Sequence, residues 1–203
     1  MLRISLLLAV ALLTACAGPQ NYLSSPIDES LWQQHQKQVA HINRWHIAGR
    51  VAVMTDEDSG QADLFWNQRA DNDYDIKMVA PFGAGTMLME GRPQGVLLTT
   101  SEGEQIFEQS ADALLHRMNG WRFPVSGLRY WLLGVPAPGS DSRMLNWNEQ
   151  GYLHLLEQDG WRVEMKNYQP VEQHQLPGKL FITRLDNSIE VKLVIRQWDL
   201  LHD

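Results

Sequence analysis

Apolar and polar residues alternate with a period of two along most of the chain beyond residue 44. Such alternation is typical of strands that turn one face to a core and the other to solvent. Clusters of Gly, Asp, Asn and Pro interrupt the alternation at short intervals, and these residues favour tight turns. Short consecutive strands joined in this way form an antiparallel meander. About eleven strands are predicted, at 45–53, 62–67, 74–78, 86–90, 96–100, 105–108, 145–147, 152–156, 161–165, 180–185 and 189–198.

Helices are predicted where this alternation breaks off. Ser110 and Ser126 are favourable N-caps, and Gly134 is a favourable stop for the helix that Ser126 begins. The predicted helices cover 28–43, 111–118 and 127–133. Two helices inserted after the sixth strand predict an α+β fold, mainly β, in which a strongly curved antiparallel sheet or barrel forms a single domain over residues 28–203.

The N-terminal segment has the pattern of a signal peptide over residues 1–15: a basic start, an apolar run and small residues. The run is too short for a membrane span, which takes about 20 apolar residues. Leu13-Thr14-Ala15-Cys16 resembles the lipobox of bacterial lipoproteins, in which the cysteine becomes the lipidated first residue of the mature chain. We therefore predict lipidation at Cys16 and a tether over 16–27. The alternative is an ordinary signal peptide followed by an unmodified cysteine.

Composition and charge narrow the range of functions. Of the 203 residues, 44% are apolar and 20% are charged, as in an ordinary globular domain. The formal charge is −7, and Lys and Arg form no block. The electrostatic attraction on which nucleic-acid binding depends is therefore missing, and we expect no nucleic-acid partner. Cys16 is the only cysteine, so the chain has no internal disulfide.

Familiar catalytic and metal-binding motifs are missing from the sequence. It contains no Gly-x-Ser-x-Gly, His-Glu-x-x-His or Gly-x-x-x-x-Gly-Lys motif. Asp71, Asp73 and Asp75 have the spacing of a calcium loop, but Ile76 replaces its glycine, so we interpret them as turn residues. The seven histidines are dispersed. We predict no enzyme, no metal and no cofactor, with a hydrolase assembled from carboxylates on different strands as an open alternative.

Several large apolar residues lie at unusual positions or occur in unusual number. Phe82 lies in a turn bounded by Pro81 and Gly83, where turn chemistry favours polar residues. It either projects into solvent to touch an apolar partner or folds back on the core. Met87 and Met89 share one face of a predicted strand and either line a site for an irregular apolar ligand or fill gaps in a core. Eight tryptophans favour an apolar cavity in a bent sheet, with a packed core as the competing interpretation.

Several motifs spread over almost the whole chain resemble the LolB family of outer-membrane lipoprotein receptors. They are the lipobox ending at Cys16, Trp45-x-x-x-Gly49-Arg50-Val51-Ala52-Val53, Phe65-Trp66, Ala80-Pro81-Phe82-Gly83 and Leu128-Arg129-x-Trp131-Leu132-Leu133-Gly134-x-Pro136. Ala17 also fits, since it stands where enterobacterial inner-membrane retention signals carry Asp. The resemblance therefore implies a protein on the periplasmic face of the outer membrane, anchored through Cys16.

The resemblance also implies a fold and a mechanism. It implies an incomplete antiparallel β-barrel of eleven strands with a helical lid over an apolar cavity. The family accepts the acyl chains of lipoproteins from the periplasmic carrier LolA and places them in the inner leaflet of the outer membrane. Pro81, Phe82 and Gly83 match its membrane-insertion loop, where the family commonly has Leu instead of Phe. We expect a monomer with these cavity residues: Trp45, Trp66, Met78, Met87, Met89, Leu128, Trp131, Leu132 and Trp147.

Two alternatives outside the transfer function stay open at this point. The chain could be a structural outer-membrane lipoprotein that binds a protein partner through the loop at Phe82. It could also store or present a free lipid without handing over lipoproteins. Uptake of an apolar probe distinguishes the first alternative, and removal of cargo from a carrier distinguishes the second.

Overall fold

The structure, a computed structural model, describes residues 29–120 and 123–202. The predicted signal peptide (1–15), the lipidation site at Cys16 and the predicted tether (16–27) lie outside the described residues. The described part contains α1 (Glu29–Val39), β1 (Trp45–Thr55), β2 (Ser59–Ala70), β3 (Asp73–Val79), a 3-10 turn (Pro81–Gly83), β4 (Thr86–Arg92), β5 (Gly95–Thr100), β6 (Gln105–Glu108), α2 (Ala111–Asn119), α3 (Val125–Leu132), β7 (Ser142–Trp147), β8 (Leu153–Gln158), β9 (Trp161–Lys166), β10 (Gln169–Val171), β11 (His174–Leu176), β12 (Lys179–Arg184) and β13 (Ile189–Leu200).

Eleven of these strands form one antiparallel sheet in the order β6-β5-β4-β3-β2-β1-β13-β12-β9-β8-β7. The first and last strands pair along their whole length at its centre, from Trp45 opposite Leu200 to Thr55 opposite Ile189. A bulge interrupts this pair after Ala48, and a Cβ at Gly49 would lie 2.2 Å from the Val194 carbonyl oxygen, so only glycine fits there. Since β6 and β7 end the sheet without pairing to each other, the barrel is incomplete. The predicted α+β, mainly β class is confirmed.

All eleven predicted strands are present, but the sequence analysis missed two more. β10 and β11 form a separate two-stranded ribbon of three residues each. A segment this short shows no measurable alternation, and Pro170 lies within it. The predicted first helix extends too far, because α1 ends at Val39 and the Ile42 amide donates to the Val39 carbonyl in a turn that leads to β1.

The predicted N-cap is correct for α2 and wrong for α3, whereas the predicted stop of α3 is correct, since Gly134 follows its C-cap in the left-handed conformation. Ser110 Oγ accepts a hydrogen bond from the Ala113 amide, and Gly120 ends α2 in the left-handed conformation. α3 begins at Val125, and Ser126 lies inside it. The Ser126 amide and hydroxyl both donate to the carboxylate of Asp112 on α2. One helix thus supplies the capping group of the next, a tertiary contact that local sequence rules do not include.

The strand connections fall at two opposite ends of the sheet. The turns after β1, β3, β5, β8 and β12 lie at one end, which we call the mouth end. The opposite end is closed by tryptophans, with the ring of Trp45 at 5.3 Å from that of Trp66 and 5.4 Å from that of Trp198. α1 also lies at this closed end, where Trp32 packs against Trp147 and Leu31 lies against Gly151 in the β7–β8 turn.

Candidate functional site: an apolar cavity and an exposed loop

A cavity of about 590 Å³ lies between the inner face of the sheet and the helices α2 and α3. This volume is in the range of sites for single small-molecule ligands, and most of the wall is apolar. The apolar lining side chains are Val51, Val53, Ala62, Leu64, Trp66, Ile76, Met78, Ala80, Ala84, Met87, Met89, Leu115, Phe123, Val125, Leu128, Ile182, Val191 and Leu193. Its polar lining residues, among them Gln61, Thr86, Thr100 and Ser101, lie at the strand ends and turns of the mouth end. The rest of the wall is apolar and favours a hydrocarbon ligand.

The cavity opens at the mouth end, between the turns after β1, β3 and β5. Carboxylates lie in two of these turns, after β1 and after β5, and Asp58, Glu102 and Glu104 contribute to the wall of the opening. Asp56 and Glu57 belong to the same turn as Asp58. Within the described part of the chain none of these five groups, which we call the mouth carboxylates, forms an ion pair. The opening is therefore apolar inside and negatively charged at its rim.

The Phe82 loop, residues 80–85, projects from the mouth end between β3 and β4. The Phe82 side chain is fully exposed, so it does not fold back on the core. Its backbone is left-handed (φ 57°, ψ 23°), which costs an L-residue about 1–2 kcal/mol. Two backbone hydrogen bonds hold this conformation, from the Ala80 amide to the Gly85 carbonyl and from the Ala84 amide to the Pro81 carbonyl. The loop thus holds an aromatic ring in solvent at a cost in stability.

The two helices cover the cavity from the open side of the sheet. α2 contributes Leu115 to the wall, α3 contributes Val125 and Leu128, and Phe123 lies between them. α3 is firmly attached, because the Trp131 indole donates to the Gln158 side chain of β8 at 2.9 Å. The predicted lid therefore corresponds to α2 and α3.

Five of the nine predicted cavity residues line the cavity: Trp66, Met78, Met87, Met89 and Leu128. The structure places the other four elsewhere. Trp45 lies in the tryptophan cluster at the closed end, and Trp147 packs against Trp32 of α1. Trp131 and Leu132 are completely buried where α3 packs on the sheet. All four are apolar and inward, but they fill space around the cavity wall.

Sequence reasoning also missed lining residues of ordinary type, among them Val51, Leu64, Ile76 and Leu193. Alternation does put them on the same strand faces as the predicted ones. Leu64 shares its face of β2 with Trp66, and Ile76 shares its face of β3 with Met78. The missing information was where along each inward face the packing ends and the cavity begins.

Asp73 and Asp75 serve a structural role on β3. Arg69 binds both carboxylates, at 2.7 Å and 2.6 Å, and Arg92 binds Asp75 at 2.9 Å. These hydrogen bonds to Arg69 lower the pKa of Asp73 and Asp75 below the ordinary range. Asp71 pairs instead with Arg129 of α3. Over residues 29–120 and 123–202, no group of three or more His, Cys, Asp or Glu side chains is arranged to hold a metal ion.

The chain is thus an open antiparallel sheet curved around an apolar cavity that two helices cover. Comparison with solved structures finds the same architecture in a LolA superfamily protein from Nitrosomonas europaea, with a TM-score of 0.53 and 7% identity over 88% of this chain and 96% of that one. That likeness concerns the fold alone. None of the described helices has the length and apolarity needed to cross a membrane.

Sequence comparison identifies the family. The family model described as "Outer membrane lipoprotein LolB" matches residues 43–198. Outer-membrane lipoprotein LolB of Ectopseudomonas mendocina is 38% identical over 191 residues, which are 93% of this chain and 92% of that protein. The protein of the same name from Pseudomonas aeruginosa is 38% identical over 192 residues, 94% of this chain and 92% of the relative. The chain belongs to the LolB family, as its motifs indicated.

Proposed function

We propose that this protein is an outer-membrane receptor that accepts lipoproteins from the periplasmic carrier LolA and inserts them into the inner leaflet of the outer membrane. The observation that carries the proposal is the apolar cavity at the mouth end, beside the exposed Phe82 loop, in a chain of the LolB family. The receptor is held on the periplasmic face of the membrane by lipid on Cys16, and residues 16–27 form its tether.

The cavity supplies the binding step. Each methylene group that moves from water into an apolar site contributes about 0.8 kcal/mol, so an acyl chain in this cavity is held by many small contributions. Release needs no covalent chemistry if the bilayer holds the acyl chains more tightly than the cavity does. Transfer then runs down a gradient of affinity from carrier to receptor to membrane.

The Phe82 loop supplies contact with the membrane in this proposal. Phe82 stands outside the core, and the two backbone hydrogen bonds of the loop keep it there. Aromatic side chains are favoured at the interface between headgroups and acyl chains. Insertion of Phe82 brings the cavity opening next to the leaflet that receives the cargo.

A transfer assay tests the proposal. LolA carrying a labelled lipoprotein is mixed with tagged residues 16–203 in which Cys16→Ala removes the lipid, and the tagged protein is then pulled down. We expect the label on the tagged protein. If the label stays on LolA while the receptor is folded and takes up an apolar fluorescent probe, a lipid-storing lipoprotein is the better assignment. If no probe enters either, a structural lipoprotein is.

Substitution of Phe82 tests the delivery step separately. Phe82→Glu should slow delivery from the receptor to vesicles about tenfold or more, because a carboxylate does not enter the acyl region. Uptake from LolA should not change, since Phe82 does not line the cavity. Phe82→Leu keeps an apolar tip and serves as the matched control, with delivery expected within about threefold of the parent. Equal delivery by the Phe82→Glu variant would contradict the role of the loop.

A further inference from the structure

Three of the five lysines of the chain lie around one aromatic ring, that of Phe181 on β12. The Nζ atoms of Lys166 and Lys192 lie 5.3 Å and 5.4 Å from the centre of this ring. Lys192 is the partner of Phe181 in the pairing of β12 with β13. Lys179 lies directly opposite Lys166 in the pairing of β12 with β9. We call these four residues the lysine cluster.

The lysine cluster lies on the outer face of the sheet, the face turned away from the cavity. Ile182 and Leu193, which follow Phe181 and Lys192 along their strands, both line the cavity. Successive side chains of a strand point to opposite faces, so Phe181 and Lys192 point outward. Lys192 is exposed, and the Lys166 side chain keeps 39% of its surface in solvent. A large partner can therefore reach the cluster without entering the cavity.

The pairing of the strands does not account for this arrangement. Like charges directly opposite each other on antiparallel strands destabilise the pairing, and Lys166 and Lys179 are such a pair. Lys166 has one carboxylate partner, Glu164 at 2.8 Å. Within the described part of the chain, Lys179 and Lys192 form no ion pair. The cluster thus carries uncompensated positive charge on a chain whose formal charge is −7.

Basic side chains predominate on the outer face around the cluster. On β9, β12, β13 and β1 the basic ones are Arg50, Arg162, Lys166, Lys179, Lys192 and Arg196, and the acidic ones are Glu164, Glu190 and Asp199. Arg50 and Arg196 share one further carboxylate, Asp63 of the neighbouring β2. The outer face of these four strands is therefore basic, in contrast to the mouth end.

The mouth carboxylates are too far away to cancel this charge. Ala52 is the partner of Lys192, and β1 continues for three more residues, or about 10 Å, before it reaches the mouth end. At an ionic strength of 0.15 M, exposed charges separated by more than about 8 Å are largely screened from each other. The basic outer face and the acidic mouth therefore act on their surroundings independently.

We infer that the lysine cluster and the basic outer face around it bind the anionic phospholipid headgroups of the membrane. Lysine ammonium groups are mobile, strongly hydrated point charges, which suit a fluid layer of phosphates better than the fixed carboxylates of a protein. The aromatic ring of Phe181 suits the same headgroup region. The inference goes beyond the proposed function, because lipoprotein transfer does not require this contact. Binding through the outer face leaves the cavity opening and the Phe82 loop unoccupied.

Flotation with vesicles tests the inference on the lipid-free protein of the transfer assay. At 0.15 M salt the parent should bind vesicles of equal parts phosphatidylcholine and phosphatidylglycerol at least tenfold more tightly than pure phosphatidylcholine vesicles. This preference should disappear at 1 M salt, where the Debye length is about 3 Å. Lys179→Gln with Lys192→Gln should weaken binding to the anionic vesicles about tenfold. Lys179→Arg with Lys192→Arg keeps the charge and should bind within about twofold of the parent.

The two lysines outside the cluster supply the matched control. Lys37 and Lys77 are both exposed, and Lys37→Gln with Lys77→Gln makes the same charge change away from the cluster. This variant should bind the anionic vesicles within about twofold of the parent, because attraction to an anionic surface acts only near it. Equal weakening by the two double Gln variants would overturn the inference, since net charge would then be the cause. Equal binding of the parent to the two kinds of vesicle would also overturn it.

A geometric readout tests which face meets the membrane. A dye on Ala52→Cys, beside Lys192, should be quenched by an acceptor on the headgroups of anionic vesicles. A dye on His116→Cys of α2, across the cavity from the outer face, should be quenched less, and the reverse order would overturn the inference. So would unchanged vesicle binding by the Lys179→Gln, Lys192→Gln variant with loss of LolA binding, which would assign the cluster to a protein partner. None of these readouts needs lipoprotein transfer, so the inference can fail while the proposed function stands.

Discussion

His35 shows how one buried residue makes the stability of this fold depend on pH. His35 lies on the buried face of α1, where its side chain is 2% exposed. Neither ring nitrogen makes a well-aligned hydrogen bond. Burial lowers the pKa of His35 to about 4, because the charged imidazolium loses its hydration. The Leu133 carbonyl opposes this effect in part, and His174 adds to it. Tyr152 and Tyr168 complete the surroundings of the ring.

The direction of the pH effect follows from this pKa. Between pH 6.5 and 4 the unfolded chain binds a proton at His35 and the folded chain does not, so the contribution of His35 to stability falls as the pH falls. We expect the free energy of unfolding to lose up to about 3 kcal/mol from this group by pH 4, and nothing above pH 7. Urea unfolding at pH 7 and pH 4.5 should show a smaller loss for His35→Gln than for the parent. The exposed variant His41→Gln controls for the substitution, and equal pH dependence of the parent and His35→Gln would contradict the prediction.

At the scale of elements, the attachment of α3 depends on one buried amide. The Gln158 side chain on β8 accepts from the Trp131 indole and the Ala137 amide, each at 2.9 Å, and donates to the Ala137 carbonyl and the Ser140 hydroxyl. Gln158 is 2% exposed, so these hydrogen bonds form away from water. They join α3 and the segment that follows it to the sheet. This part of the lid is therefore a fixed wall of the cavity.

Removal of this amide should be costly. Gln158→Leu leaves the Trp131 indole and both backbone groups of Ala137 buried without partners, and each such group costs about 1–3 kcal/mol. We expect the free energy of unfolding in urea to fall by about 3 kcal/mol or more. Gln150→Leu makes the same change at an exposed turn and should alter the free energy by less than about 0.5 kcal/mol. A loss below 1 kcal/mol for Gln158→Leu would show that α3 is held by its apolar contacts instead.

At the scale of the whole molecule, the mouth end combines two opposing features. Under the proposed function, the Phe82 loop favours contact with acyl chains, whereas the mouth carboxylates disfavour contact with anionic lipid headgroups. Elsewhere most acidic side chains have basic partners, such as Asp63 with Arg50 and Glu157 with Arg162. The negative field at the mouth is thus not compensated locally, and the lipid composition of the membrane should influence delivery.

Neutralisation of two mouth carboxylates tests this influence. Glu102→Gln with Glu104→Gln should speed delivery to anionic vesicles about three- to tenfold at low salt, with little effect on zwitterionic vesicles. The gain should shrink at high salt, because the Debye length falls to about 3 Å at 1 M. Glu149→Gln with Asp199→Asn makes the same charge change at the closed end and should not speed delivery. Equal rates for the two double variants would indicate that the mouth charges do not face the membrane.

Much of the fold follows from local pattern. Alternation over short segments predicted every strand of the main sheet, because the side-chain period of a strand is a property of the backbone itself. Ser110 marked the start of α2 and Gly134 the end of α3 for similarly local reasons. The cap of α3 by Asp112 was not predictable, because the two residues that meet are fourteen positions apart.

The sequence by itself determined the family, the order of the strands and the presence of an unusual apolar residue at Phe82. Apolarity and the family resemblance also singled out Trp45, Trp66 and Met78 as cavity residues. Only the tertiary structure decided that Trp45 packs at the closed end while Trp66 and Met78 line a cavity. The reason is physical: alternation states which side chains share a face of a strand, whereas an empty volume depends on how far apart the opposing walls are held. The same holds for α1 and the Phe82 loop, whose positions at opposite ends follow from the antiparallel order of the whole sheet.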